Sequence, residues 1–209
     1  MSMAKILAGT SRFQDDYQDN LDLFERLASQ GQPAEILFVG CSDSRVPPEI
    51  ITGAGPGDLF ALRVLGNIVP PFGTGEMAIG AVVEYALLEL PVRHIIVCGH
   101  TDCGAIWALD QHPDWVRASH LARWVEHARP AQTKVEASGL ADSERHLATV
   151  RENVLLQLEH LQSYDLVRQR EREGVVILHG WVYRLETGEI EVYDRGQDAW
   201  QAIGTESET

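Results

Sequence analysis

"RHIIVCGHTDCGAI", residues 93–106, decides how this chain folds. Its first half carries a continuous apolar run, 95–98, too short for a helix. Such a run suits a strand covered on both faces, as in a parallel sheet. The second half turns polar at once and sets His100 and Cys103 just beyond the strand, with Cys103 placed in the first turn of a following helix.

The same pattern recurs on either side. "EILFVG" (35–40) and "DLFALRVLG" (58–66) read as strands, and "GVVILHGWVYRL" (174–185) as a fourth. "ETGE" then makes a turn into "IEVYD" (190–194), an antiparallel hairpin partner. Between the strands lie helical patterns. Residues 17–30 place Leu21, Phe24, Leu27 and Ala28 on one face, with Gly31 as a stop. "GEMAIGAVVEYALLEL" (75–90) runs to Pro91. In 143–164, Leu147, Val150, Val154, Leu158 and Leu161 keep helical spacing behind Ser143 as cap. These stripes are core or subunit contact.

Strands alternating with helices predict an α/β fold: a mainly parallel sheet of four strands plus an antiparallel edge strand, flanked by helices. One domain is expected, with a helical arm (1–31), an α/β core (32–195) and a polar, loose tail (196–209) with Trp200 as its one candidate for docking.

The composition excludes some functions. A net charge of −14 repels phosphates, so no nucleic-acid partner is expected. No run approaches the roughly 18 apolar residues a membrane helix needs, and the start shows no signal-peptide pattern. Three cysteines, an odd and sparse set, suit a cytoplasmic location where thiols bind metal or do chemistry.

In open α/β sheets ligands bind beyond the carboxyl ends of the strands. After the first strand comes "CSDSR", with Cys41, Asp43 and Arg45; after the third comes "HTDC", with His100 and Cys103. Taken singly, each is an ordinary core or loop residue. Brought together by adjacent parallel strands, two cysteines and a histidine with one open position form a recognised zinc arrangement. Cys98, inside the apolar run, reads as a buried structural cysteine. Asp102 or a backbone carbonyl fixes the tautomer of His100. Two thiolates already cancel the charge of Zn²⁺, so a carboxylate that accepts a hydrogen bond from the reacting water is useful. Asp43 is placed for that, and Arg45 can hold it by a two-pronged ion pair. The same residues also allow a closed Cys₂HisAsp structural site.

"CSDSR", "HTDC" and "LHGWVY", in this order and spacing, resemble the β-class carbonic anhydrases over residues 32–194. The resemblance implies one zinc per subunit on Cys41, His100 and Cys103, with Asp43 and Arg45 as the dyad that opens the fourth position. It implies reversible hydration of carbon dioxide to bicarbonate and a proton by zinc-bound hydroxide. Relatives acting on carbonyl sulfide or carbon disulfide are the alternative. It further implies a homodimer unit, built in some members into tetramers or larger assemblies. Gln32, Phe60 and Tyr85 match the substrate-pocket positions of plant-type members, where pocket residues can come from the adjacent subunit. Val64 departs from a common Asn. Phe38 stands where some bacterial members have the Trp of a regulatory bicarbonate pocket, beside Arg63 and Tyr183. For a proton shuttle the candidates are His94, His112 and His120.

Overall fold

The computed structural model describes residues 2–75, 77–110 and 119–203. The chain forms two compact units, Met1–Pro33 and Ala34–Thr209.

The first unit is a pair of helices, α1 (Met3–Asp19) and α2 (Leu21–Gln30). The helix expected over 17–30 is broken at Asn20, which leaves helical geometry at φ −119°, ψ 29°. Gly31 ends α2 at φ 82°, the stop expected from sequence. The pair is held by aromatics: Tyr17 stacks on Phe24 at 4.5 Å, and Phe13 meets Phe24 edge-on at 5.8 Å.

The second unit is built on one six-stranded sheet in the order β2-β1-β3-β4-β5-β6. Strands β1 (Ile36–Cys41), β2 (Leu59–Val64), β3 (His94–His100) and β4 (Ile177–Tyr183) are parallel, as their apolar runs predict. Strand β5 (Ile190–Asp194) pairs antiparallel with β4, and β6 (Ala199–Ala202) antiparallel with β5. Strand β6 lies where sequence suggests a loose tail. Trp200 anchors it, packed on the core with the Arg151 guanidinium 6.0 Å from its ring. The remaining helices are α3 (Pro48–Thr52), α4 (Met77–Leu88), α5 (Gly104–Asp110), α6 (Ser119–Val125), α7 (Arg129–Glu136), α8 (Asp142–Gln162) and α9 (Asp165–Arg172). None among the described residues is long and apolar enough to cross a membrane.

The two faces of the sheet are covered differently. Leu37, Val39, Ile95, Val97, Leu178 and Val182 point to one face and join the main core with Val83 of α4 and Val150, Val154, Leu158 and Leu161 of α8. Each such side chain contributes roughly 1.5–3 kcal/mol on burial. α8 lies almost on the strands: a methyl on Gly99 would come within 2.8 Å of Val154. Ser143, expected as the cap, lies inside the helix: α8 begins at Asp142 behind Ala141, and its first turn carries Asp142 and Glu144, acids that complement the helix dipole. On the opposite face Phe38, Ile96 and Cys98 form a smaller buried cluster against Ile51 and Trp181. Burial pushes the Cys98 thiol up to about 12, consistent with an inert structural cysteine.

Candidate metal centre

Strands β1 and β3 are neighbours in register, Gly40 opposite Cys98, so their carboxyl ends bring Cys41 and His100 together. The turn after β3 adds Cys103. The two sulfurs and a His100 ring nitrogen lie within 4.8 Å of one another, and the three residues are 3%, 0% and 1% exposed.

Each donor is prepared by its surroundings. His100 Nδ1 donates to the carbonyl of Thr101 at 2.8 Å, which leaves Nε2 as the bare nitrogen. That Nε2 is buried with no hydrogen-bond partner in the protein. A buried polar atom without a partner is costly, and an electrophile at that point would satisfy it. The backbone carbonyl, not Asp102, therefore sets the tautomer. Cys41 Sγ accepts the amide N–H groups of Asp43 and Gly66, each at 3.4 Å. Its thiol is held down at about 4, chiefly by a hydrogen bond from Cys103, with those amides acting against the cost of burial. Cys103, on the donating side, is pushed well up by Cys41 and by burial. It precedes α5 rather than lying within its first turn, and the Ala105 and Ile106 amides do not outweigh the neighbouring sulfur. Two sulfurs sharing one proton beside an unpartnered imidazole nitrogen fit a soft divalent cation, whose binding displaces that proton.

Asp43 stands beside this triangle. Arg45 grips it twice, Nε to Oδ1 at 3.0 Å and Nη2 to Oδ2 at 2.7 Å, and the Arg45 amide adds a bond to Oδ1 at 2.9 Å. These bonds hold the Asp43 carboxyl down at about 2. Its Oδ2 lies 4.0 Å from His100 Nε2. The expected pair is thus assembled at the open side of the three donors.

Several supports escaped sequence reasoning. Arg63, read only as a regulatory position, donates to the carbonyls of Cys41 at 3.2 Å and Asp43 at 2.6 Å and so fixes the turn after β1. Gly66 reaches Cys41 because it adopts φ 65°, where an added methyl would also press Ala105 at 2.9 Å. His146 of α8 accepts the Cys103 amide N–H at 3.2 Å. Phe60 and Tyr85 do meet, at 5.7 Å between ring centroids, but Phe60 lies four residues before the end of β2. That is about 13 Å along the strand from the centre of the same chain. Gln32 is exposed and belongs to the first unit. Phe38 is fully buried against Trp181. His94 opens β3, roughly 20 Å from His100 at its other end; His120 is exposed on α6. His112 lies outside the described residues.

Comparison with known proteins agrees with this arrangement. A family model described as carbonic anhydrase matches residues 36–190. A carbonic anhydrase of Synechocystis sp. is 41% identical over 196 residues, 92% of this chain and 71% of that protein. The structure of the β-carbonic anhydrase CcaA superposes with a TM-score of 0.90 at 39% identity, covering 96% of this chain and 98% of the other. One of two tetrameric β-carbonic anhydrases of the ascomycete Sordaria macrospora gives a TM-score of 0.78 at 28% identity, over 90% and 94% of the two chains. With the strand order, the Cys-His-Cys cluster and the Asp–Arg pair already in place, the chain belongs to the β-class carbonic anhydrases.

Proposed function

We propose that this protein catalyses the reversible hydration of carbon dioxide to bicarbonate and a proton, using one zinc per subunit held by Cys41, His100 and Cys103. The observation that carries this reading is the orphaned His100 Nε2 facing two sulfurs, with Asp43 locked onto Arg45 beside them. Zinc, when bound, supplies the Lewis acidity that brings the ionisation of water toward neutral pH. The chain supplies the rest. Cys41 and Cys103 give two thiolates, and the Asp43 and Gly66 amides spread the charge of the first. Asp43, kept ionised by Arg45, can only accept hydrogen bonds. It therefore takes a hydrogen bond from the attacking water and turns that oxygen toward the carbon of carbon dioxide.

The assembly is read as a homodimer unit, with the tetramers named among the Sordaria relatives as the precedent for larger forms. Phe60 and Tyr85, remote from the centre of their own chain, then serve as pocket residues of the neighbouring subunit. Residues 1–31 act as the arm of a single catalytic domain. The buried free cysteines suit the cytoplasm.

Stopped-flow carbon dioxide hydration on zinc-replete protein at mildly alkaline pH tests the reading. Fast, zinc-dependent turnover is expected. Asp43→Ala should reduce it about 10²-fold, at the lower end of what a positioned proton acceptor contributes, while one zinc per chain is retained. Turnover no faster than buffer would refute the activity, and unchanged turnover in Asp43→Ala would remove that residue from the mechanism.

A further inference from the structure

Asp102 stands between His100 and Cys103, yet its side chain serves neither. Its backbone sits at φ 53°, in the left-handed region that asparagine and aspartate tolerate better than most residues. Held there, its carboxylate turns back toward the turn after β1. Oδ2 accepts from Arg45 Nη1 at 2.8 Å, and the Asp102 carbonyl accepts from Nη2 at 3.1 Å. Oδ1 accepts the indole N–H of Trp107 at 3.0 Å. The Trp107 ring lies flat on His146, 3.9 Å between centroids and 11° from parallel, and His146 receives the Cys103 amide. Arg45 thus bridges two carboxylates through different nitrogens, Nε and Nη2 to Asp43, Nη1 to Asp102.

We infer that Asp102, steadied by Trp107, is a positioning residue that anchors Arg45 so that the guanidinium keeps Asp43 beside the metal ligands rather than among them. The inference rests on the reading of Cys41, His100 and Cys103 as the metal site. Arg45 is half exposed, its side chain 48% accessible. An arginine in that position with one partner swings freely, whereas a planar fork engaged on two sides has one orientation. Asp43 needs that restraint. Its Oδ2 is already 4.0 Å from His100 Nε2, so a carboxylate released by Arg45 has a short way to travel into the open position. Asp102 does not compete for Arg45, because both sets of contacts are short at the same time. It biases the choice of Asp43 between two partners by holding one of them still.

The experiment uses cobalt(II) in place of zinc, since cobalt ligand-field bands report entry of a carboxylate and its thiolate charge-transfer band reports the two cysteines. Asp102→Gly removes the brace and accepts the same backbone angle. It should shift the visible bands and lower carbon dioxide hydration roughly tenfold, the scale of coupling within one ion-pair network. The band shift should vanish when Asp43→Asn is also present. Trp107→Phe removes the indole donor to Asp102 and keeps an aromatic ring to lie on His146; it should shift the bands in the same direction by less. It decides the matter if Asp102→Gly does not fold. Unshifted bands in Asp102→Gly, or in Trp107→Phe where that variant decides, overturn the proposal. So does a shift of equal size in the Asp43→Asn background, because Asp102 would then act on the ligand loop directly. Absence of the thiolate–cobalt band in the unaltered protein would remove the metal site itself and the brace with it, a different failure from an unmoved band.

Discussion

Replacing Gln157 by Leu tests how the metal centre is supported from below. Gln157 is fully buried in α8. Its Oε1 accepts the Val69 amide at 2.9 Å, and its Nε2 donates to Asn153 Oδ1 at 2.8 Å. Asn153 in turn donates to the carbonyl of Gly66 at 3.0 Å, and the Gly66 amide donates to Cys41 Sγ. Leucine is near enough in volume that the cavity term is small. What remains is a Val69 N–H and an Asn153 Oδ1 buried without partners, at about 1–3 kcal/mol each. The expected loss is about 4 kcal/mol, a large share of the roughly 5–15 kcal/mol that holds a domain together. For a chain of this length that lowers the melting temperature by roughly 8–16 °C. The assay is thermal unfolding followed by circular dichroism at fixed zinc and protein concentrations. Glu159→Gln, exposed on the same helix, serves as the control and should stay within about 0.5 kcal/mol. A Gln157→Leu loss below about 1 kcal/mol would mean that the two groups find other partners and that the ladder does not support the Gly66 turn.

Other expectations follow from single contacts. His100→Ala should abolish stoichiometric zinc in the purified protein, read by elemental analysis, because two sulfurs alone leave the cation under-coordinated. Gly99→Ala should destabilise by about 1–3 kcal/mol through overpacking against Val154, and Val154→Ala in the same chain should recover part of that in the same melting assay. Arg45 depresses the Asp43 carboxyl from 3.8 to about 2, so its contribution to stability is present above the ordinary carboxylate value and is lost as pH falls through about 2. The stability gap between the unaltered chain and Asp43→Asn should therefore be widest above about pH 4 and close on acidification; a gap that widens in acid would contradict the pairing.

The parallel sheet was legible because β1 and β3, buried on both faces, leave continuous apolar runs, and because β2 at the sheet edge and β4, buried only at alternate positions, still begin with apolar runs. The hairpin was legible because its turn residues stand between two such runs. Strand β6 was not: "DAWQA" is short, its polar residues Asp198 and Gln201 stand three apart and follow no strand alternation, and its pairing is decided by where Trp200 docks, a tertiary fact. The break at Asn20 was missed for a related reason. Residues 17–30 keep a helical spacing across it, and the aromatic contact of Phe13 with Phe24 that goes with the break joins residues of two different helices.

The clustering of Cys41, His100 and Cys103 beside Asp43 was legible because zinc chemistry restricts residue type and the sheet restricts place. Their supports were not, and the reason is physical. Read for apolar spacing, α8 gives Val150, Val154, Leu158 and Leu161 and passes over what lies between them. Yet Asn153 and Gln157 are as buried as the valines, and His160 donates from Nδ1 to the carbonyl of Val69 at 2.8 Å. The segment 65–70 that they hold has no strand partner for its backbone, so its amides and carbonyls must be met by side chains. A polar residue inside an apolar stripe is expensive unless something irregular lies opposite it. Here the irregular segment carries the amide that meets Cys41. Asn153, Gln157 and His160, spaced four and three apart on one face of α8, were therefore a trace in the sequence of the wall that holds the Gly66 turn.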